Sequence, residues 1–199
     1  MLQSRPTREV SMSDTQYVAT YLQETIQIAQ TLDTGSIEHA IQLLRSVRER
    51  QGRLFILGVG GSAGNASHAV NDFRKIAGME AYAPTDNVSE LTAWTNDVGW
   101  DVVFTEWLKT SHLKALDSLL VLSVGGGSAT TSLNLVRAME HARQVGAGIV
   151  SIVSRDGGRA KELADVTVLV PVVAQARITP HAEGWQGVVW HLMVNALVQ

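Results

Sequence analysis

Apolar positions recur with a helical period over the first fifty residues and then change to continuous runs. From Asp14 they are spaced three and four apart, and Ser13 with Gln16 has the form of a capping box. A second pattern of the same kind covers residues 36–50, with Ser36 as its expected N-cap. The spacing therefore predicts two amphipathic helices before the first strand. The apolar stripe of the first helix is formed by Val18, Leu22, Ile26, Ala29 and Leu32.

Four apolar runs after Gly52 are typical of strands that are buried on both faces. They cover residues 53–59, 118–124, 147–153 and 166–170. Helical patterns lie between and after them, at residues 63–76, 89–108, 128–145, 159–164 and 180–198. Thr179 is the expected N-cap of the last helix and Pro180 its first residue. Strands that alternate with helices predict an α/β fold, with a central parallel sheet covered by helices on both faces.

The composition is typical of an ordinary globular protein, and it excludes or disfavours several classes of function. Of the 199 residues 45% are hydrophobic, which is enough to bury a full core. A formal net charge of −3, without a run of five or six like charges, disfavours nucleic acid binding. The absence of cysteine excludes a disulfide framework, a thiolate metal site and a Cys nucleophile. No secretory or membrane-spanning pattern is present, so we expect a cytoplasmic protein without a membrane partner.

The domain organisation is expected to be simple. Residues 1–12 are polar and lack periodicity, which is typical of a frayed tail. No linker, internal repeat or low-complexity stretch interrupts residues 13–199. We therefore expect a single domain over residues 13–199.

Two of the predicted strands run into glycine-rich turns, Gly58-Val-Gly-Gly-Ser62 and Gly125-Gly-Gly-Ser128, each followed by a helix. In an open α/β sheet the ligand lies at the carboxyl ends of the strands, where a helix N-terminus offers free amides to an anion. Neither turn has the Gly-Lys-Ser/Thr of a Walker A motif, and the acidic residue of a dinucleotide site is missing. Each glycine-rich turn alone is equally explained as a tight turn with a serine N-cap. The two turns together indicate a single phosphate that is bound from two sides.

Histidines and carboxylates are paired on two of the predicted helices. His68 and Asp72 are four residues apart, so their side chains project from one face. Glu183 and His191 are eight residues apart and share a broad face of the last helix. Two imidazoles with two carboxylates match the ligands of zinc or another divalent metal, and they also serve proton transfer. His191 lies in the apolar run 188–193, where an unpaired imidazole is costly.

Taken in order and with their intervals, these motifs resemble the sugar isomerase (SIS) domain family, and within it the phosphoheptose isomerases. The resemblance runs from about residue 14 to the end. It is carried by 58–62, His68 with Asp72, Asn96-Asp97, 123–128, Asp156-Gly-Gly158 and His191. It implies a flavodoxin-like three-layer α/β/α sandwich with two N-terminal helices and a long C-terminal helix. It also implies a homotetramer with active sites at subunit interfaces.

The resemblance assigns roles to residues of this chain. Asp97 is expected to hold substrate hydroxyls, and His191 to act as the acid. Asp72 or Glu183 is expected to be the base. The implied metal is zinc, with the ligands His68, Asp72, Glu183 and His191. The sugar phosphate is expected to be bound by Gly60, Gly61, Ser62, Ser123, Gly125 and Ser128.

Several positions differ from the usual pattern of the family. Asp72 is one methylene shorter than the usual Glu base, and reach decides whether a base touches its proton. Glu183 replaces a neutral Gln and adds a negative charge. Val59 stands where the family usually has Asn, and Val124-Gly125 where it has hydroxyl residues. The segment 177–181 also differs, and we expect it to bring an extra imidazole, His181, near the site.

The sequence therefore favours an aldose–ketose isomerase that acts on a sugar phosphate through an enediol. The implied reaction converts sedoheptulose 7-phosphate into D-glycero-D-manno-heptose 7-phosphate with a bound divalent metal. The differences from the family leave two alternatives open, an isomerase of another phosphosugar and a non-catalytic SIS protein. A protein of the second kind is a sugar-phosphate sensor or a replication-initiator-associating adaptor. Because both histidine positions are filled, we favour the enzyme.

Overall fold

A computed structural model describes residues 13–199, so the predicted tail at residues 1–12 lies outside the described residues. The strands are β1 (Leu54–Leu57), β2 (Ala81–Tyr82), β3 (Ser118–Leu122), β4 (Gly148–Val153) and β5 (Val166–Leu169). All neighbouring strands are parallel, in the order β2-β1-β3-β4-β5. This is the flavodoxin-like order, in which the chain changes direction across the sheet between β1 and β3. The four predicted strands are confirmed, and β2 is a short edge strand that the pattern did not indicate.

Eight helices surround the sheet in the described part of the chain. The region predicted as helical over residues 89–108 is divided in two after Gly99, which has a φ of 98°. No helix within residues 13–199 is long and apolar enough to cross a bilayer. The helices are α1 (Asp14–Thr31), α2 (Thr34–Glu49), α3 (Gly61–Lys75), α4 (Val88–Val98), α5 (Val103–Thr110), α6 (Leu133–Val145), α7 (Gly158–Leu163) and α8 (Ile178–Ala196).

Alternate strand residues divide the interior into two cores, one on each face of the sheet. Leu54 and Ile56 of β1 pack with α2, α3 and α8 on one face, and Phe55 and Leu57 pack with α5 and α6 on the other. The central strands are buried on both faces because side chains alternate along a strand and helices cover each side. The predicted three-layer sandwich is thereby confirmed.

Three predicted helix starts are wrong by a few residues. The N-cap of α2 is Asp33, whose carboxylate accepts a hydrogen bond from Gly35 N at 3.0 Å, and not Ser36. α6 begins at Leu133 and not at residue 128, because the glycine-rich turn continues as a loop through Ser132. α8 begins at Ile178, so Thr179 and Pro180 lie inside its first turn. The capping box of α1 is confirmed, since Ser13 and Gln16 exchange hydrogen bonds of 3.2 and 3.3 Å.

The register between β1 and β3 is fixed at their amino ends by one buried carboxylate. Asp117 has a fully buried side chain and accepts hydrogen bonds from Arg53 N at 2.9 Å and Arg53 Nη2 at 2.7 Å. It also accepts a bond of 2.9 Å from Lys114 N. The Asp117 carboxylate raises the pKa of the Arg53 guanidinium. Leu57 then pairs with Val121, so the two glycine-rich turns leave the sheet side by side.

A polar cluster joins α1 to the start of α8. Glu24 is 9% exposed and accepts hydrogen bonds of 2.8 Å from Arg177 Nε and from His181 Nε2. The His181 ring stacks on Tyr21, with ring centroids 4.5 Å apart. The hydrogen bonds from Arg177 and His181 lower the pKa of Glu24 to about 2. By contrast, most of the apolar stripe of α1 is exposed, with Val18, Leu22 and Ile26 between 48 and 58%.

Glu24 is expected to make the fold sensitive to acid. Because its folded pKa is about 2 and its ordinary value 4.5, its stabilisation is present above pH 4.5 and is lost as the pH falls toward 2. Glu24→Gln should lower the free energy of unfolding at pH 7 by about 2 kcal/mol, and the difference from wild type should shrink toward pH 2. Urea unfolding at pH 7, 5 and 3 measures this.

Glu38→Gln, which changes an exposed glutamate of α2, is the control for the loss of one negative charge. A difference between Glu24→Gln and wild type that stays constant across these pH values would contradict the stabilising role of the ion pair.

Candidate active site

A cleft of about 860 Å³ opens where β1, β3 and β4 end. Its walls come from the turns that follow these strands and from the segment that leads into α8. Parallel strands bring their carboxyl ends to one edge of the sheet, so turns that are far apart in sequence meet here. The residues that line it lie in the ranges 59–62, 123–132, 155–158 and 172–179.

The three predicted phosphate-binding serines, Ser62, Ser123 and Ser128, all line this cleft. The Ser123 hydroxyl oxygen accepts a hydrogen bond of 3.1 Å from Gly126 N, and the Ser128 oxygen accepts bonds from the amides of residues 130 and 131. Since the Gly126 amide uses an oxygen lone pair, the Ser123 hydroxyl hydrogen remains available to a ligand, while the Ser128 hydroxyl also lies 3.5 Å from Thr130 Oγ1. Ser62, in the first turn of α3, is 2% exposed. The serines therefore form a convergent set of donors.

The first glycine-rich turn brings α3 and α8 into close contact. Gly60 has φ 64° and ψ −128°, a conformation that only glycine adopts readily. A β-carbon on Gly61 would overlap the Glu183 carboxylate, so this carboxylate rests on the amino end of α3. Asn65 extends this contact, since its Nδ2 donates to the Glu183 carbonyl oxygen at 2.9 Å and to Gln186 Oε1 at 3.1 Å. Of the predicted glycines, Gly125 lines the cleft, whereas Gly60 and Gly61 are not among its lining residues.

Farther along the same two helices, His68, Asp72 and His191 come together, a set we call the triad. Asp72 Oδ2 lies 3.9 Å from His68 Nε2 and 3.6 Å from His191 Nε2. His191 Nδ1 donates to the Gly187 carbonyl oxygen at 2.7 Å, so its Nε2 is the nitrogen with a free lone pair. Glu183, the fourth predicted ligand, is not a member of this set, because its carboxylate rests on Gly61.

The triad fits a divalent transition metal. One ligand atom from each residue lies within 4.8 Å of the others. Zinc–ligand bonds of about 2.0–2.1 Å in a tetrahedral site place neighbouring ligand atoms about 3.3 Å apart, close to the separations from Asp72. Two imidazoles and one carboxylate leave a coordination position open, as catalytic zinc sites do. The Gly187 carbonyl orients His191 in the way that outer-shell partners orient metal-binding histidines.

Three expectations about these residues need correction or restriction. His191 is not buried among apolar neighbours, since its side chain is 46% exposed. His181 does not bring an extra imidazole to the site, because its ring is bonded to Glu24 of α1. Asp97 lies on α4 outside the cleft of its own chain, where it accepts a hydrogen bond of 2.9 Å from Asn96. The periodicity predicts that these side chains lie on helices. It does not predict which part of the folded protein each side chain contacts.

The cleft also contains residues to which the sequence analysis gave no role. Arg155 and Asp156 follow β4, and Gln175 and Thr179 belong to the segment before and within α8. The signal for the first two was present in the sequence, since they follow a buried strand and precede two glycines, like the other turns at this edge. The α8 side of the cleft depends on tertiary packing and had no comparable signal.

Known proteins that are similar to this chain indicate the family to which it belongs. The model of the SIS domain matches residues 16–154. A lincomycin biosynthesis protein of Streptomyces lincolnensis is 34% identical over 163 residues, which are 78% of this chain and 59% of that protein. A phosphoheptose isomerase of Chlorobium phaeobacteroides is 32% identical over 177 residues, or 85% and 75% of the two chains. The structure of a phosphoheptose isomerase from Neisseria gonorrhoeae matches with a TM-score of 0.80 at 27% identity, covering 93 and 98%.

The fold and the cleft define an α/β protein with a small-ligand site at the carboxyl edge of a parallel sheet. The chain belongs to the SIS domain family. The resemblance inferred from the motifs is therefore confirmed. It includes the similarity to phosphoheptose isomerases, which are among the matching proteins.

The triad should bind zinc through its two imidazoles. His68→Gln and His191→Gln should each weaken zinc binding roughly tenfold or more, because each removes one of three ligands. His39→Gln, which changes an exposed histidine of α2, should leave the affinity unchanged. Competition with a chromophoric chelator gives the three values. An affinity equal to wild type in both triad variants would exclude the triad as the metal site.

Proposed function

We propose that this SIS-domain protein is an aldose–ketose isomerase that acts on a sugar phosphate. The observation that carries the proposal is one helix, α3, with a phosphate donor at its start and acid–base side chains farther along. Ser62 faces the cleft, and His68 and Asp72 follow on the same helix beside His191. Relatives named phosphoheptose isomerase support the reaction class.

The proposed substrate is sedoheptulose 7-phosphate and the product D-glycero-D-manno-heptose 7-phosphate. Isomerisation moves a proton between C1 and C2 through an enediol, which requires a base and a group that stabilises charge on oxygen. The three serines hold the phosphate, and His191 Nε2 gives and accepts protons at the sugar oxygens when it is not bound to a metal. Asp72 or Glu183 moves the carbon-bound proton. His68, Asp72 and His191 would hold a zinc ion, which would supply Lewis acidity when bound.

The distance between the triad and the phosphate-binding serine of α3 supports a site that two copies of the chain share. Asp72 is ten residues beyond Ser62, or about 15 Å along the axis of α3. Glu183 rests on Gly61, at the opposite end of α3 from Asp72, and is therefore nearer than Asp72 to the cleft of its own chain. Asp72 and His191 serve a cleft more readily if that cleft belongs to a second copy of the chain. This supports a homotetramer with active sites at subunit interfaces.

Exposed apolar residues support the same assembly. Val188 and Leu192 flank His191 on α8 and are 50 and 45% exposed. Leu22 on α1 is 58% exposed, and α4, which carries Asp97, contains no buried residue. Large apolar side chains that are exposed on several helices are consistent with contact with another protein surface. A second copy that covers it would also bring the Asp97 of one chain toward the site of another.

A second candidate substrate class follows from the lining of the cleft. Val59 and Val124 line it at positions where the family usually has Asn and hydroxyl residues. Apolar side chains at these positions favour a sugar phosphate with fewer hydroxyls near the phosphate end. The lincomycin biosynthesis relative shows that similar chains occur outside phosphoheptose isomerases. The reaction class stays the same, and the sugar differs.

The isomerase reaction can be observed directly by NMR. Sedoheptulose 7-phosphate in heavy water with zinc should give an aldoheptose phosphate, with deuterium at C2 where the transferred proton exchanges with solvent. His191→Gln should abolish conversion, and a chelator should slow it, because both remove charge stabilisation from the enediol. No conversion by the folded wild-type protein would contradict the heptose assignment. A panel of shorter ketose phosphates would then separate another isomerase from a sensor or adaptor.

The oligomeric state tests the interface. Sedimentation should give a tetramer for wild type, and Leu22→Lys or Leu192→Lys should produce smaller species, because each buries a charge in an apolar contact. Gln23→Lys, on an exposed position of α1, adds the same charge as a control. A wild-type monomer would contradict the shared site. Full activity in a dissociated variant would identify Glu183, and not Asp72, as the base.

A further inference from the structure

The cleft contains a cation that the proposed chemistry does not use. Arg155 follows β4 and lines the cleft, and no other lysine or arginine does so within residues 13–199. Asp156 is the only acidic side chain of the described lining. Without Arg155 the lining would carry a net negative charge and repel a phosphate dianion.

The turn that carries Arg155 is held in an unusual conformation. Gly157 N donates to the Ser154 carbonyl oxygen at 3.0 Å and closes the turn. Ser154 is fixed in turn, since its Oγ donates to the Val170 carbonyl oxygen at 2.8 Å and its N to that of Val124 at 3.0 Å. Arg155 has a φ of 57°, a left-handed conformation that is unfavourable for a residue with a β-carbon. Strained residues of this kind cluster at functional sites.

The strained backbone directs the arginine toward the second glycine-rich turn. Arg155 Cδ lies 3.7 Å from the position that a β-carbon would take on Gly125, so the aliphatic part of the side chain follows the glycine backbone. No hydrogen bond or ion pair joins its guanidinium to another side chain described in the structure. Two other arginines differ, since Arg159 is paired with Glu140 and Glu162, and Arg177 with Glu24. The Arg155 guanidinium is therefore available to a ligand.

We propose that Arg155 binds the phosphate group of the substrate and makes the cleft specific for phosphorylated sugars. This inference rests on the proposed function, because it assumes that a sugar phosphate occupies the cleft. A guanidinium binds phosphate through two parallel hydrogen bonds, which an ammonium group cannot reproduce. The serines contribute neutral donors, and Arg155 contributes the positive charge that distinguishes a phosphate ester from a free hydroxyl.

Titration calorimetry with sedoheptulose 7-phosphate, unphosphorylated sedoheptulose and inorganic phosphate tests this role. Arg155→Gln should raise the Kd of both phosphate-containing ligands roughly 10-fold to 100-fold, and Arg155→Lys should fall between it and wild type. Wild-type binding should weaken with added salt more steeply than binding by Arg155→Gln. Arg159→Gln removes the same charge four residues away, outside the cleft, and should leave the Kd unchanged.

Arg155→Gly separates ligand binding from stability. Glycine accepts a positive φ, so the melting temperature of this variant should not fall below wild type, although its Kd should rise as in Arg155→Gln. If wild type binds the sugar phosphate and Arg155→Gln binds it with the same Kd, the assignment of Arg155 is wrong, while the proposed function is not contradicted. If wild type binds neither phosphate-containing ligand, the proposed function fails, and the assignment of Arg155 fails with it.

Discussion

The parallel pairing of β1 with β3 is the constraint on which the candidate site depends. Asp117 fixes the two strands at their amino ends, through the backbone and guanidinium of Arg53. The pairing of Leu57 with Val121 then sets where both chains leave the sheet. Because the order of the strands reverses at this point, no crossover helix covers the gap between the two turns. Ser62, Ser123 and Ser128 converge in that gap although 66 residues separate the first from the last.

The second constraint is the contact between α3 and α8, which brings the residues of the triad together. Gly61 lets the Glu183 side chain reach the backbone of α3, and Asn65 bonds to the carbonyl and side-chain oxygens of two α8 residues. These contacts fix the two helices in register, so that His191 meets His68 and Asp72 farther along. Ser62 thus lies in the first turn of α3, and Asp72 of the triad lies near the other end of the same helix. Substitutions at Asn65 would therefore disturb the positions of Ser62 and of the triad, although Asn65 belongs to neither group.

Most of the fold could be predicted from the sequence because buried parallel strands and their flanking helices have distinct periods. The i, i+4 spacing of His68 and Asp72 placed both on one helical face, and the structure brings His191 to that face. The pattern of apolar residues does not show which surface will cover them, because that depends on tertiary packing. The exposure of Leu22 on α1 therefore could not be predicted from the sequence. The same holds for His181, whose local sequence suggests a ligand while its partner, Glu24, is 157 residues away.

One difference from the usual family pattern, the acid at position 183, changes the charge around the proposed phosphate site. An α-helix N-terminus attracts anions through its free amides and dipole, so α3 would ordinarily contribute to holding the phosphate. In this chain the Glu183 carboxylate rests on Gly61 and competes with the ligand for that positive end. A neutral glutamine at position 183 would not compete in this way. Under the proposed function, anion binding therefore falls to the Ser123–Ser128 turn and to Arg155, which both line the cleft. The cation at position 155 and the acid at position 183 are in this sense coupled features of the proposed site.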